Sequence, residues 1–131
     1  MSPSGTNETF SFVLADCTGH GVPGAMLSTL LAGLLERIYV SNPSMEASDA
    51  YRDLKDSFHR TFRSESGTPG LGLEGGFDAL ILQIDRKKRA LKVAGRGIGF
   101  VMVRDGRANR VPLRGLEECA QSIEFEPGDR F

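Results

Sequence analysis

The order of readable segments predicts an α+β domain, with one leading strand, two helices and then a run of hairpin-linked strands. Three observations carry that prediction. Apolar residues recur at spacings of three and four through Leu27, Leu30, Leu31, Leu34, Leu35 and Ile38, and again through Ala47, Tyr51, Leu54, Phe58 and Phe62. From Phe77 onward the apolar residues fall in short runs or alternate. Polar and glycine-containing turns separate those runs at Asp85 to Lys88, Gly95-Arg96-Gly97, Asp105-Gly106 and Glu126 to Asp129. The chain has 131 residues, long enough for one core and too short for two comfortable ones, so residues 1–131 are expected to form a single domain.

Residues 1–8 are polar and are expected to be a flexible arm. Residues 9–15 alternate and then turn uniformly apolar, which predicts a buried strand. Residues 16–21 form a loop, after which Pro23 suits a first helical turn, where its missing N–H costs nothing. The helix is expected over about residues 23–40, with Gly24 and Ala25 keeping its first turn thin enough to lie against a sheet, and Asn42-Pro43 ends it. A second helix begins with Ser44 or Ser48 as N-cap and runs to about Arg63, its charged residues Arg52, Asp53, Lys55, Asp56 and Arg60 facing water. The glycine-rich residues 64–76 predict a mobile loop. Strands follow over 77–84, 89–94, 100–104, 108–113 and 122–125, the fourth placed at an edge or strand end by Pro112. Periodicity leaves open whether the first strand shares a sheet with the later ones or belongs to a second.

Composition narrows the function classes. A net charge of −1 gives no global attraction to nucleic acid, and 40% hydrophobic with 25% charged residues is ordinary for a globular domain. Ser28, Thr29, Glu36 and Arg37 interrupt the longest apolar stretch, which therefore does not read as a membrane span. No secretory leader is readable at the N-terminus. With its two cysteines, Cys17 and Cys119, far apart, the chain is expected to be cytoplasmic with free thiols.

The most informative stretch is Leu14-Ala15-Asp16-Cys17-Thr18-Gly19-His20-Gly21-Val22-Pro23-Gly24-Ala25. An apolar strand ends in a carboxylate, turns on glycines, and enters a helix. A carboxylate fixed beside free backbone amides and the positive end of a helix suits a hard cation or a phosphate. Gly19 and Gly21 permit the close backbone approach that such a loop needs. Taken alone, the bare Asp-x-x-Gly-x-Gly pattern favours a plainer reading, a structural turn in which Asp16 caps the helix.

This stretch resembles the second motif of the SpoIIE-type branch of the metal-dependent (PPM) serine/threonine phosphatases. Gly76-Phe77-Asp78-Ala79-Leu80-Ile81-Leu82-Gln83-Ile84-Asp85, then Leu91-Lys92-Val93-Ala94-Gly95 and Arg104-Asp105-Gly106, resembles that family's following strands in order and spacing. Phe125-Glu126-Pro127-Gly128-Asp129-Arg130-Phe131 resembles its Pro-Gly-Asp turn. The resemblance implies a β-sandwich flanked by helices, with two Mn²⁺ or Mg²⁺ ions that activate water against a phosphoserine or phosphothreonine. It implies that Asp16 bridges the metals, that Cys17 contributes its backbone carbonyl, and that His20 orients water or donates a proton. The implied partner is a phosphorylated regulatory protein of the anti-anti-sigma type, and the implied parent protein carries a sensor module.

Other parts of the family pattern are missing. The upstream Gly-Asp ligand, the later Asp-Gly and the terminal Asp-Asp-x-Thr have no counterparts, and Phe131 falls inside an expected core strand. The sequence is therefore expected to be a domain incomplete at both ends, and hydrolysis by this polypeptide alone is not expected. Asp78, Asp85 and Asp129 read as poor substitutes for the missing ligands. The alternative is a non-catalytic phosphatase-like interaction module that has lost its metal centre. A zinc set from Cys17, His20, His59 and Cys119 lacks a second local pair. Between Arg86 and Arg110, nine Lys or Arg residues accompany the single acid Asp105. Without interleaved aromatic residues these read as the wet faces of hairpins rather than a nucleic-acid surface. Arg96, between two glycines, is the candidate phosphate contact.

Overall fold

The computed structural model describes residues 9–62, 76–111 and 121–130. The expected arm, most of the glycine-rich loop, Pro112 and Cys119 lie outside the described residues. The elements run β1 (Thr9–Cys17), α1 (Gly21–Ser41), α2 (Ala47–Phe62), β2 (Phe77–Asp85), β3 (Ala90–Arg96), β4 (Phe100–Arg104), β5 (Arg107–Val111) and β6 (Gln121–Glu124). The expected α+β order is observed. The first strand does join later ones: β1-β2-β3-β6 form one antiparallel sheet, while β4 and β5 pair in a second.

Local chemistry accounts for most element boundaries. Pro23 sits in the first turn of α1, and the Asn42 N–H donates to the Ile38 carbonyl at 3.0 Å just before Pro43 stops the helix. Asp105 and Gly106, both at positive φ, close the β4–β5 hairpin as a primed two-residue turn requires. The basic residues between Arg86 and Arg110 are scattered rather than gathered. Four lie at the β2–β3 turn, Lys88 pairs with Asp85, Lys92 pairs with Glu46, and Arg104 pairs with Asp129.

The four-stranded sheet is the middle of three layers. On one face, Val13, Cys17, Ala79, Ile81 and Ala94 pack against Leu27, Leu31 and Ile38 of α1 and Ala50, Leu54 and Phe58 of α2. On the other, Leu80, Leu91 and Val93 pack against Phe100 of β4, with Met102, Val111 and Phe125 around them. Strand alternation explains the division, since Ile81 lies opposite Val13 and Ala94 on the helix side, while Leu80 lies opposite Leu14 and Gly95 on the other. Two buried polar side chains on the helix side are satisfied locally. Buried Gln83 donates to the Met45 carbonyl at 2.8 Å, and buried Ser57 accepts from Arg37 at 2.7 Å and donates to Asp53 at 3.0 Å, which ties α1 to α2.

The buried strand expected over residues 9–15 is corrected by the structure. Among the described residues β1 is an edge strand, and only its helix-side residues are covered. On the opposite face Phe10, Phe12 and Leu14 are 47, 59 and 60% exposed. Residues of β4 and β5 cover the β2–β3 half of that face.

Asp129 is consumed structurally. Its side chain is 2% exposed and accepts from Arg104 Nη2 at 2.7 Å, Arg104 Nε at 3.1 Å and the Glu126 amide at 2.8 Å. Arg104 Nη2 also donates to the Glu124 carbonyl at 3.1 Å, and Val103 and Arg130 exchange backbone bonds. This clamp fixes the Pro-Gly-Asp turn against β4. The Arg104 guanidinium, followed by the Glu126 amide, holds the Asp129 carboxyl below the usual carboxylate range.

Two measurements check this packing. Ile81→Ala is expected to cost about 2–5 kcal/mol of unfolding free energy, because it opens a cavity between sheet and helices. Phe12→Ala is expected to cost less than about 1 kcal/mol, since that ring is already largely in water. For the clamp, a folded pKa below the unfolded one stabilises the fold above about pH 4 and stops doing so as pH falls through the folded value. Urea midpoints of wild type are therefore expected to fall more steeply than those of Asp129→Asn between about pH 5 and about pH 2. Parallel curves would show that the clamp contributes nothing through its charge.

Candidate functional site

The loop predicted from sequence sits at one end of the four-stranded sheet. Asp16 and Cys17 are the last residues of β1, and the Thr18 N–H donates to the Gly76 carbonyl at 2.9 Å, so the loop is pinned to the start of β2. Gly19 and Gly21 take φ of +120° and +66°. The N-cap of α1 is His20, in extended backbone and with no side-chain capping bond; Asp16 does not cap the helix. Gly24 has a different neighbour from the one expected. It lies against the loop rather than the sheet, where an added Cβ would come within 2.7 Å of the Gly19 carbonyl oxygen. The thin first turn of α1 is thus what lets loop and helix close on each other.

Successive side chains of β1 point to opposite faces, which separates Asp16 from Cys17. The Cys17 thiol is half-buried and packs toward the helix-side core. The exposed Asp16 carboxylate belongs to the opposite face. There it meets a partner that sequence reasoning set aside: Asp16 lies directly across from Asp78 of β2. Directly opposed residues of an antiparallel pair share a face with their Cβ atoms about 5 Å apart, where like charges repel. Gly97, at φ +82°, lies so close to Asp78 that an added Cβ would fall 2.0 Å from its carboxyl carbon. A side chain at position 97 would displace Asp78 from its place.

Two hard-oxygen carboxylates on one face suit Mg²⁺ or Mn²⁺ in donor type. In number they fall short. Among the described residues no group of three or more His, Cys, Asp or Glu could hold a metal ion, and a pair of divalent ions needs more oxygen ligands than Asp16 and Asp78 supply. Asp129, sequestered by Arg104, is not available. The zinc alternative finds no support among the described residues either.

On the helix side of the same sheet end is a pocket of about 240 Å³. Its polar wall is Thr18, Lys55, His59 and Arg96, and Tyr51, Phe58 and Phe77 give it an aromatic floor, with Phe58 and Phe77 ring centroids 4.8 Å apart; Asp78 also lines it, though its carboxylate belongs to the other face of β2. The structure thus brings Arg96 beside the residue that follows Cys17 in the loop, and beside the cross-strand partner of Asp16. His20 is not among the lining residues. Lys55, expected to face water, is half-buried. The spacing of Lys55 and His59, one helical turn apart and in step with Tyr51, is the signal that was available for them.

Comparison with known proteins follows this geometry. The chain matches the family described as stage II sporulation protein E (SpoIIE) over residues 6–130. It is similar in structure to the SiaA PP2C domain of Pseudomonas aeruginosa, with a TM-score of 0.71, 20% identity, and coverage of 93% of this chain and 52% of that one. It is similar to the RsbU and RsbW domains of Rv1364c from Mycobacterium tuberculosis, with a TM-score of 0.69, 21% identity, and coverage of 93% and 34%. It is also similar to RsbX in complex with magnesium, with a TM-score of 0.64, 16% identity, and coverage of 96% and 59%. The chain therefore spans about a third to somewhat over half of these structures. No curated protein sequence matches it. Among the described residues, no helix is long and apolar enough to cross a membrane.

The notch at Gly97 yields a prediction. Gly97→Ala places a Cβ against the Asp78 carboxylate at a positive φ, and is expected to destabilise the fold by about 1–3 kcal/mol. If that cost arises at the carboxylate, the shorter, uncharged side chain of Asp78→Ala should recover part of it in a double-mutant cycle. Additive costs would place the strain elsewhere.

Proposed function

The chain belongs to the SpoIIE family, whose fold is that of the PP2C-type (PPM) phosphatases, and from that premise we propose that it forms part of a metal-dependent phosphatase site. The substrate in this reading is a phosphoserine or phosphothreonine of a bacterial regulatory protein, of the anti-anti-sigma type. The observation that carries it is the placement of Asp16. A carboxylate at a sheet end, beside a glycine turn and a helix N-terminus and opposite a second carboxylate, suits cation binding in exposed surroundings.

In this reading Asp16 and the Cys17 backbone carbonyl would be among the oxygen ligands that hold Mn²⁺ or Mg²⁺. Bound ions of this kind lower the pKa of a water and neutralise phosphoryl oxygens. The residues of this chain position and orient. Gly19 and Gly24 fix the loop against α1, Gly97 keeps the space for Asp78, and His20, exposed at the helix start, would hold a water or donate a proton. Similarity to an RsbX structure that contains magnesium supports the type of ion. Similarity to a protein in which RsbU and RsbW domains occur together supports a regulatory phosphoprotein as substrate. A cytoplasmic location and a sensor module in a longer parent remain part of the same proposal.

A second reading has its own observation. Among the described residues no cluster of three metal-ligating side chains exists, which favours a phosphatase-like module that binds a partner without hydrolysis.

Phosphate release from a phosphoserine peptide, with Mn²⁺ or Mg²⁺ present, separates the two. The assay uses this chain and the longest polypeptide that contains it. The catalytic reading expects metal-dependent release by the longer polypeptide and a drop of at least about 100-fold in Asp16→Asn, the upper end of what loss of an outer-shell partner costs. Release that is unchanged in Asp16→Asn would overturn the assignment of that residue. No release by either polypeptide, with peptide binding retained, would favour the module.

A further inference from the structure

We propose that the pocket between α2 and the ends of β2 and β3 is an oxyanion subsite for phosphate, with Arg96 and Lys55 as its cationic wall and His59 and Thr18 as hydrogen-bonding contacts. Its donors come from three separate parts of the chain. Lys55 and His59 lie one turn apart on α2, Arg96 ends β3, and Thr18 belongs to the loop after β1. Residues so distant in sequence converge here, and among the described lining residues the one acidic residue, Asp78, has its carboxylate on the other face of β2.

Several features fit phosphate better than a water-filled crevice. The volume of about 240 Å³ is several times the roughly 30 Å³ that one water occupies in the liquid, leaving room for a tetrahedral oxyanion and part of its hydration shell. Among the described residues no hydrogen bond or ion pair engages the Arg96 side chain, whose planar fork of donors matches phosphate oxygens pairwise. The aromatic floor of Tyr51, Phe58 and Phe77 lowers the local dielectric and so strengthens each charge–oxyanion contact.

The position gives the subsite its use. Thr18 lies two residues past Asp16, and Asp78, in the pocket wall, is the cross-strand partner of Asp16. The pocket therefore opens at the same sheet end as the paired carboxylates but on the helix side. An anion held there keeps its distance from the negative face. Its identity as phosphate rests on the phosphatase reading, but its binding requires neither metal nor turnover.

The test is equilibrium binding to the metal-free chain, with a chelator present, read by NMR shifts of the His59 ring and the Arg96 side chain. Two ligands are titrated, orthophosphate and a phosphoserine peptide, with the serine peptide as control. Wild type is expected to bind at least one with a Kd on the order of millimolar, and the serine peptide not at all. Binding of both ligands, or of orthophosphate alone, supports a subsite for the free ion. Binding of the peptide alone supports one for the ester. Arg96→Gln and Lys55→Gln are each expected to weaken binding roughly tenfold with thermal midpoints unchanged. The proposal is overturned if neither phosphate ligand shifts these signals, or if both glutamine variants bind as wild type does. Hydrolysis that fails while this binding succeeds would remove the catalytic reading and leave the subsite standing.

Discussion

The register of β1 against β2 is the constraint on which the rest of the molecule depends. It sets Val13 opposite Ile81 and so gives the helices an apolar floor. It sets Leu14 opposite Leu80 and so extends the apolar layer of the other face. It also sets Asp16 opposite Asp78, with the like charges at the one end of the ladder where they reach solvent. A slip of one residue would turn every β1 side chain over, sending Asp16 into the helix-side core and Cys17 to the exposed face. The apolar pattern of β1 and the site are therefore specified together. Cross-strand repulsion is the cost of that arrangement in the bare chain, and it falls on the two residues best placed to attract a cation.

Burial is unequal on the two faces of the sheet. Two helices, locked to each other through Ser57, pack along one, while the β4–β5 hairpin covers the β2–β3 half of the other. The clamp of Arg104 on Asp129 holds the segment after β6 against β4, which keeps that smaller sheet in place despite its two strands. Two acidic residues that look equivalent in the sequence thus have unlike surroundings. Asp129 is enclosed by donors and serves the fold, whereas Asp16 is open to solvent and is left for a ligand.

Local features were legible in the sequence because they are written within one or two turns of chain. The helix stripe from Leu27 to Ile38, the Asp105-Gly106 hairpin and the glycine loop after Asp16 all fall in this class. Features that depend on distant partners were not. Phe10, Phe12 and Leu14 read as buried because apolarity signals a preference for a core, and gives no information on whether the strand lies at an edge. Lys55 read as solvated from its charge, though it is half-buried and lines the same pocket as Tyr51, Phe58 and Phe77. Asp78 was set aside because the resemblance gives its place no metal-ligand role, and its meeting with Asp16, a sheet contact across two intervening helices, is not written locally; Asp129 was placed in a turn with no view of Arg104 from β4. The resemblance carried the family, while the pocket on the helix side came from three-dimensional proximity alone.

The alternation that divides Asp16 from Cys17 has one more consequence. The thiol of Cys17 is half-buried between the sheet and the helix layer, on the far side of the strand from the carboxylates. A bulky group attached to that sulfur would press on the helix layer and leave the carboxylate face chemically untouched, so the two sides of one strand end can be altered independently.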